Sequence, residues 1–250
     1  GEGTLAGCRA EYERYRAGSA DDGIPRTALT EAPEDGPVRG RPRRPAVVLS
    51  STSWTADEDF GVLLDALVEL DGMVEGRAAD PAQQDHFPYV ICVVTGRGPM
   101  KQYYRDRMAT ILPGLRHVSV ATPWLEPEDY PTLVGCADLG VSLHTSSSGI
   151  DLPMKVLDMF GCEVPVAATD FSCLGELVRD GKNGVTFTSA PRLAQHLHRL
   201  LACDGDGADG HVGGAELDAL RSGTAGMARW RAHWDAVAEP AVRRALARVR

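Results

Sequence analysis

The amino-acid sequence predicts a doubly wound, mainly parallel α/β sheet. Short apolar runs alternate with stretches of helical period along most of the chain, and polar or glycine-rich loops separate them. The runs are continuously apolar, as in strands that are buried on both faces. Strands of this kind, joined by crossover helices, form a parallel sheet that is wound in the right-handed sense.

The first unit of strand, loop and helix is the most clearly marked. The strand is predicted at residues 46–49, and a polar loop leads to a helix that begins after Thr55. Thr55 and Glu58 fit a capping box, and the acidic residues 57–59 match the positive end of the helix dipole. The helix is predicted to bury one apolar face, which consists of Phe60, Leu63, Leu64, Leu67 and Leu70.

The same unit recurs along the chain. A second strand at 89–94 leads through the loop 95–99 into a helix at 100–112, and Pro99 suits this boundary because the first helical turn tolerates proline. The apolar runs that follow predict strands at 118–120, 139–143, 164–168 and 185–187. The stretches between and after them predict helices at 128–136, 154–161, 174–178 and 191–202.

The rest of the chain lacks this alternation. We expect residues 1–44 to be an irregular lead-in or interdomain linker, because glycine, proline, aspartate and arginine dominate its second half. The sheet domain is predicted at 45–202, a surface loop at 203–215 and a helical segment at 216–250. In that segment Trp230 and Trp234 lie one turn apart, and packing into the core is favoured over contact with a partner domain.

Composition and charge exclude several classes of protein. The chain has 250 residues, of which 43% are hydrophobic and 24% are charged, and this balance excludes disordered, collagen-like and coiled-coil proteins. The formal net charge of -9 argues against nucleic acid as a partner, since binding to its phosphates needs a cationic surface. The six cysteines have no C-x-x-C spacing, which favours reduced thiols over disulfides or a zinc site.

No segment is predicted to cross a membrane. Crossing takes roughly 18 to 20 apolar residues, and the apolar runs of this chain, such as 89–94, are far shorter. The first eleven residues also lack the apolar core of a secretory signal. Because the chain opens on Gly1 rather than methionine, we expect it to be a fragment.

The loops that follow the strands are the candidate functional site, because open parallel sheets bind ligands beyond the carboxyl ends of their strands. Gly96 and Gly98 follow the second strand and precede a helix, where backbone N–H groups can bind an anion. A tight turn alone would also require glycine there. After the third strand, Trp124 and Leu125 offer either a surface for a flat base or a buried anchor.

The loop after the fourth strand and the helix behind it carry most of the candidate residues. The hydroxyl groups at 145–148 and Gly149 suit close approach of a phosphate or a sugar. Lys155 falls in the first helical turn, where a cation costs stability unless an anion offsets it. Asp158, three residues later, suits a ribose diol, and the alternative is a surface ion pair with Lys155.

Two more residues of this loop leave alternatives open. Asp151 precedes the helix and is either a helix cap or a ligand. His144 ends the strand, and it is a general base, a donor to a phosphate or a structural side chain.

Four segments of the chain resemble one known family. They are 50–60 (SSTSWTADEDF), 95–99 (TGRGP), 122–131 (TPWLEPEDYP) and 144–162 (HTSSSGIDLPMKVLDMFGC). In this order they are similar to the eukaryotic chitobiosyldiphosphodolichol beta-mannosyltransferases, and the similarity extends over residues 45–202.

The resemblance implies a fold, an activity and a location. The family has the GT-B fold of two facing Rossmann-like domains, and this chain would be the C-terminal half, which binds the donor. The implied enzyme is an inverting hexosyltransferase that transfers mannose from GDP-mannose, in a beta-1,4 linkage, to chitobiosyl-diphosphodolichol in N-glycan precursor assembly. It would work at the cytosolic face of the endoplasmic reticulum membrane, beside other mannosyltransferases of the pathway, without an obligatory cofactor or metal. The chain would lack the membrane anchor and the acceptor domain, and the catalytic base is expected in that missing N-terminal domain.

The resemblance also implies roles for individual residues. Asp158 matches the second acidic position of the GT-B donor helix, which bonds the ribose, and Asp151 lies one residue away from the first. Trp124 and Leu125 would frame the guanine, and Arg97 would help to neutralise the leaving GDP. The diphosphate would be held by Ser147, Ser148, Gly149 and Lys155, with backbone room from Gly96 and Gly98.

Two other functions stay open at this point. A truncated form without the acceptor domain would be noncatalytic and would only associate with other glycosyltransferases of the pathway. Another GT-B enzyme would use a different nucleotide sugar.

Overall fold

The computed structural model describes residues 27–33, 36–78, 87–146, 148, 150–205 and 209–248. Residues 1–26, 34 and 35 of the predicted lead-in lie outside the described residues. The described part of the lead-in contains a short antiparallel pair, β1 (Thr30–Glu31) and β2 (Arg39–Gly40). The lead-in is therefore less irregular than its composition predicts, because two strand residues on each side suffice to form a ladder.

The remaining strands of the described residues form one six-stranded parallel sheet. They are β3 (Ala46–Ser51), β4 (Val90–Thr95), β5 (Val118–Ala121), β6 (Leu139–Ser142), β7 (Val166–Thr169) and β8 (Gly184–Phe187). Their order across the sheet is β5-β4-β3-β6-β7-β8, and every neighbouring pair is parallel. This is the doubly wound order of Rossmann-like folds, which confirms the predicted fold class.

Helices cover both faces of the sheet, as a doubly wound fold requires. The helices are α1 (Phe60–Ala78), α2 (Lys101–Ile111), α3 (Tyr130–Gly135), α4 (Met154–Gly161), α5 (Ala190–Leu201) and α6 (Ala215–Ala225). One apolar core lies between the sheet and α1, α2, α5 and α6, and a second lies under α3 and α4. Successive residues of β3 alternate between the two cores. This explains why the strands read as continuously apolar.

The helix predicted at 128–136 is confirmed as α3, which is two residues shorter at its start and one residue shorter at its end. Two local predictions are wrong. The helix predicted at 174–178 is a single 3-10 turn, Leu174–Glu176. The capping box is also wrong, because α1 begins at Phe60 and the Glu58 carboxylate bonds Thr52, Ser53 and Lys155 instead of the backbone of Thr55.

The C-terminal segment forms two helical pieces. After α6, the helix α7 (Trp230–His233) passes through a π-helical turn, Trp234–Ala238, into α8 (Glu239–Ala247). The rings of Trp230 and Trp234 lie 5.6 Å apart, but their residues are 77% and 37% exposed. The prediction that they pack into the core is wrong, because this piece contains no buried residue.

The five cysteines among the described residues are free thiols. No helix among the described residues is both long enough and apolar enough to cross a bilayer.

The strand order reverses between β3 and β6, and this switch point positions the site. Strands β4 and β5 follow β3 to one side, while β6, β7 and β8 extend to the other. Such a reversal opens a crevice at the carboxyl ends of the two central strands. The loops that follow β3, β4, β5 and β6 at this edge of the sheet are the first loop (52–59), the second (96–100), the third (122–129) and the fourth (143–153).

Candidate functional site

The first and fourth loops meet at the switch point. Lys155, in the first turn of α4, forms an ion pair with Glu58 of the first loop. The Thr145 hydroxyl donates a hydrogen bond to the backbone carbonyl of Asp57, with 2.9 Å between the oxygens. Two contacts therefore join the loop after β3 to the residues after β6.

Glu58 is the central residue of this arrangement, and the sequence analysis missed its role. Its side chain is only 5% exposed. One carboxylate oxygen accepts hydrogen bonds from the Thr52 hydroxyl at 2.8 Å and from the backbone N–H and hydroxyl of Ser53 at 2.6 and 2.8 Å. Burial alone would raise the pKa of Glu58, but the hydrogen bonds from Lys155 and Ser53 outweigh burial and lower this pKa to about 2. Glu58 is therefore an ionised anchor for the first loop.

The anion that balances the charge of Lys155 is a side chain of the protein, the carboxylate of Glu58. The sequence argument that this lysine needs a bound phosphate loses force, because Glu58 already balances the charge. The alternative ion pair of Lys155 with Asp158 is not the one formed. The Lys155 side chain stays 29% exposed, and an ammonium has three donors, so a ligand in the crevice can still reach it.

Asp158 contacts a different part of the fold from Lys155. The hydroxyl of Tyr130 at the start of α3 lies near it, and this hydroxyl is 2.9 Å from that of Ser51 at the end of β3. Partial burial raises the pKa of Asp158, against the opposing effect of Tyr130. Its role as a ribose ligand stays a prediction.

Asp151 organises the fourth loop. Its carboxylate accepts hydrogen bonds from the hydroxyls of Ser146 and Ser148, the latter at 2.8 Å, and lies 2.9 Å from Nε2 of His144. The hydrogen bonds from Ser146 and Ser148 lower the pKa of Asp151 to about 2. The alternative of a helix cap is wrong, because α4 has no side-chain cap and its N-cap residue is Pro153.

Two predicted ligands of this loop, Ser147 and Gly149, lie outside the described residues. That the site works without a metal stays a prediction. Within the parts of the chain that the structure describes, no three histidine, cysteine, aspartate or glutamate side chains come together as a possible metal site.

The first loop is anchored by a buried aromatic residue. Trp54 is fully buried, and its ring packs against Phe60 at 4.9 Å and Tyr104 at 6.0 Å. Its backbone has a φ of +51°, an uncommon conformation for a bulky residue that costs about 1–3 kcal/mol. The N–H of its backbone donates to the Thr52 hydroxyl at 3.0 Å. Aromatic packing and this hydrogen bond together hold the strained turn beside Glu58.

The glycines of the second loop allow two backbones to touch. Gly96 has a φ of +123°, and a Cβ atom there would overlap the carbonyl oxygen of Thr52. A Cβ atom on Gly98 would overlap the carbonyl oxygen of Ser53. Packing of the second loop on the first therefore accounts for both glycines, in line with the alternative that the backbone conformation of the turn requires them. The contribution of their N–H groups to donor binding stays a prediction.

Replacement of Gly96 by alanine is expected to destabilise the protein by about 2 kcal/mol, because the added methyl group meets fixed backbone at a left-handed φ. Urea denaturation measures this free energy of unfolding. Gly114→Ala is the matched control, since no heavy atom lies within 4 Å of the added Cβ atom there. Equal effects of the two substitutions would contradict the backbone packing described above.

Arg97 and Trp124 form a stack at the outer end of the site. The guanidinium carbon of Arg97 lies over the Trp124 ring, 3.5 Å from its centroid. Trp124 is 51% exposed, so the alternative of a buried anchor is wrong, and Leu125 beside it is half-buried. The proposed contact of these side chains with guanine stays a prediction.

Lys101 joins the two loops that carry this stack. Its ammonium donates hydrogen bonds to the carbonyl oxygens of Gly96 at 3.0 Å and Thr122 at 3.2 Å. Burial, with the nearby charges of Arg105 and Arg97, lowers the pKa of Lys101. The sequence analysis did not single out Lys101, because nothing in the local pattern shows that its helix begins between these loops.

Comparisons with known proteins agree with this architecture. The chain is 44% identical over 212 residues to the UDP-glycosyltransferase TURAN of Arabidopsis thaliana, which covers 82% of this chain and 44% of that protein. It is 50% identical over 178 residues to a chitobiosyldiphosphodolichol beta-mannosyltransferase of Mus musculus, with 71% and 35% coverage. The Homo sapiens protein of the same name is 46% identical over 191 residues, with 76% and 39% coverage. The chain thus spans less than half the length of these relatives.

A family model matches the central part of the chain. Residues 51–203 match the family described as glycosyl transferases group 1. This range includes most of the parallel sheet, all four loops and the ion pair of Glu58 with Lys155. Since the match covers more than half of the chain, this protein belongs to the group 1 glycosyl transferases.

Proposed function

We propose that this chain is the nucleotide-sugar-binding part of a mannosyltransferase of N-glycan precursor assembly. The observation that carries the proposal is its identity of 50% and 46% to two relatives whose name specifies mannose and a chitobiosyldiphosphodolichol acceptor. The proposed donor is GDP-mannose, and the proposed reaction is an inverting transfer that forms a beta-1,4 linkage.

The crevice at the switch point suits a sugar diphosphate. The first turn of α4 starts there, and its unpaired backbone N–H groups favour an anion. Lys155 stands in the same turn, already held at the edge of the crevice by Glu58. When the glycosidic bond breaks, negative charge builds up on the leaving diphosphate, and a preorganised positive group stabilises it. A charge-assisted hydrogen bond of this kind contributes about 1.5–3 kcal/mol.

The proposed acceptor implies a membrane. Dolichol is a long apolar chain, so the reaction takes place where that chain is embedded in a bilayer. We assign the enzyme to the cytosolic face of the endoplasmic reticulum membrane, with other mannosyltransferases of the pathway as neighbours. The support for this assignment is the dolichol-linked acceptor that the name of the mouse and human relatives specifies.

Calorimetry with GDP tests the role of Lys155. We expect the parent chain to bind GDP and Lys155→Gln to bind it about tenfold or more weakly, because one charge-assisted hydrogen bond is lost. Glutamine keeps a donor for Glu58, and the hydrogen bonds of Thr52 and Ser53 to Glu58 are retained. Lys182→Gln is the matched control, since Lys182 is an exposed lysine in the turn before β8, at the opposite edge of the sheet. Absence of GDP binding by the parent, with full activity of the complete enzyme carrying Lys155→Gln, would overturn the proposal.

Competition between nucleotide sugars tests the choice of donor. The plant relative is named a UDP-glycosyltransferase, which favours a second candidate donor class. We expect GDP-mannose to displace GDP from this chain at lower concentration than UDP-glucose does. The reverse order would assign the site to a UDP-sugar.

Activity in cells separates an enzyme from a purely associating protein. Cells that lack the complete mannosyltransferase are supplied with this chain, fused to the remainder of a relative, and their lipid-linked oligosaccharides are measured. Restored mannosylation, lost again with Lys155→Gln, is the expected result. Normal association with other glycosyltransferases without restored mannosylation would favour the noncatalytic alternative.

A further inference from the structure

We propose that Arg97, held against Trp124, is the residue that selects guanine as the base of the nucleotide. This inference rests on the proposed function, because it assigns a base to the donor of the same site. It gives Arg97 a different task from the neutralisation of the leaving diphosphate.

The stack restricts the orientation of the guanidinium group. Arg97 lies over the Trp124 ring at 3.5 Å from the centroid, a distance at which the cation and the ring attract each other strongly. A guanidinium group is planar and carries five N–H donors in a fixed fork. Contact with the ring therefore fixes the plane of those donors before a ligand arrives. Arg97 is exposed, so the donors that face away from the protein remain accessible.

The two loops under the stack are also fixed. Lys101 bridges the carbonyl oxygens of Gly96 and Thr122, next to Arg97 and two residues before Trp124. The second loop packs on the backbone of the first through Gly96 and Gly98. Because neither loop can shift without breaking these contacts, the stack is a preorganised surface rather than a chance contact of two long side chains.

The place of the stack in the sheet suits a base better than a diphosphate. Arg97 follows β4 and Trp124 follows β5, whereas Lys155 follows β6 on the far side of β3. Neighbouring strands are roughly 4.8 Å apart, so the ends of β4 and β6 are separated by roughly 10 Å. In a doubly wound sheet the phosphates bind at the switch point and the nucleoside extends over the next strand. The nucleoside therefore lies toward Arg97 and Trp124 when the diphosphate lies at Lys155.

The donors of an arginine fork match one base in particular. Guanine presents two adjacent acceptors, O6 and N7, on one edge, and arginine binds them as a pair. Adenine replaces one of these acceptors with an amino donor, and uracil offers O4 without a neighbouring N7. A fork held in one plane therefore favours GDP over UDP and ADP, and this matches the donor proposed above.

Calorimetry with GDP and UDP on variants of Arg97, Trp124 and Arg105 tests the assignment. We expect Arg97→Lys to lower the affinity for GDP about tenfold and to change the affinity for UDP less than about twofold, because lysine keeps the charge but loses the planar fork. Trp124→Ala is expected to reduce the same preference, because it removes the surface that orients the fork. Arg105→Lys, an exposed arginine on α2, is the matched control and leaves both affinities unchanged.

The results distinguish this inference from the proposed function. Arg97 is a counterion of the diphosphate if Arg97→Lys leaves GDP binding unchanged while Arg97→Gln weakens the binding of GDP and UDP equally. In that case the base assignment is overturned and the proposed function still stands. If the parent chain binds neither nucleotide, the proposed function and the base assignment both fail.

Discussion

Replacement of Glu58 by alanine is expected to lower the free energy of unfolding by about 3 kcal/mol. The carboxylate is buried and accepts hydrogen bonds from Thr52, Ser53 and Lys155. Its removal leaves buried donors without an acceptor and a half-buried ammonium without its counterion, and both are costly. Urea denaturation at pH 7 measures the change. Glu75→Ala is the control, since Glu75 pairs with Arg116 at the surface, where solvent screens the ion pair and its removal is expected to cost much less.

The pH dependence identifies the ionised form of Glu58 as the stabilising one. The pKa in the folded protein is about 2, below its ordinary value of 4.5. The unfolded chain therefore binds a proton first, and the contribution of Glu58 is complete above about pH 5 and is lost as the pH falls toward about 2. We expect the difference in unfolding free energy between the parent and Glu58→Gln to narrow over this range. A difference that stays constant from about pH 5 to about pH 3 would show that the charge of Glu58 is not what stabilises the loop.

Asp138→Ala is expected to have the largest effect on stability, a loss of about 4 kcal/mol. Asp138 is 3% exposed and lies at the start of β6, at the opposite edge of the sheet from the candidate site. Arg44 donates to both of its oxygens, at 2.8 and 2.7 Å. Arg221 of α6 donates at 3.0 Å and the backbone N–H of Val47 at 2.9 Å. The substitution thus removes the contacts by which Asp138 joins the lead-in, the strand β3 and the helix α6.

A surface aspartate provides the comparison for Asp138. Asp65 is 61% exposed and lies 3.4 Å from Arg107 across the surface, so Asp65→Ala is expected to cost less than about 1 kcal/mol. Thermal unfolding followed by circular dichroism compares the two variants with the parent. A loss at Asp138 no larger than that at Asp65 would contradict the account of Asp138 as a buried hub.

The fold was predictable from the sequence because its signals are local and repeated. The apolar runs became strands, and the helix at 154–161 has the predicted bounds. The weaker predictions failed where a local signal was short. Residues 174–178 provide only a single turn, because irregular residues follow the 3-10 turn Leu174–Glu176.

The candidate site was only partly predictable, for a physical reason. The position of Lys155 in a first helical turn indicated a nearby anion, but nothing in the local sequence identified Glu58, which lies 97 residues earlier in the chain. The partners of Asp151 could not be predicted either, because the path of the fourth loop decides which hydroxyl and imidazole groups reach its carboxylate. Trp124 was placed in the right loop, while its contact with Arg97 depends on two strands that lie side by side.

The sequence by itself determined the parallel sheet, the edge at which its loops gather and the membership of a glycosyl transferase family. These follow from periodicity and from motifs, which are properties of neighbouring residues. Only the tertiary structure decided which charges are paired: Lys155 with Glu58, and Asp138 with Arg44 and Arg221. Pairing depends on distance in space, and the strand order that brings β3 beside β6 sets those distances.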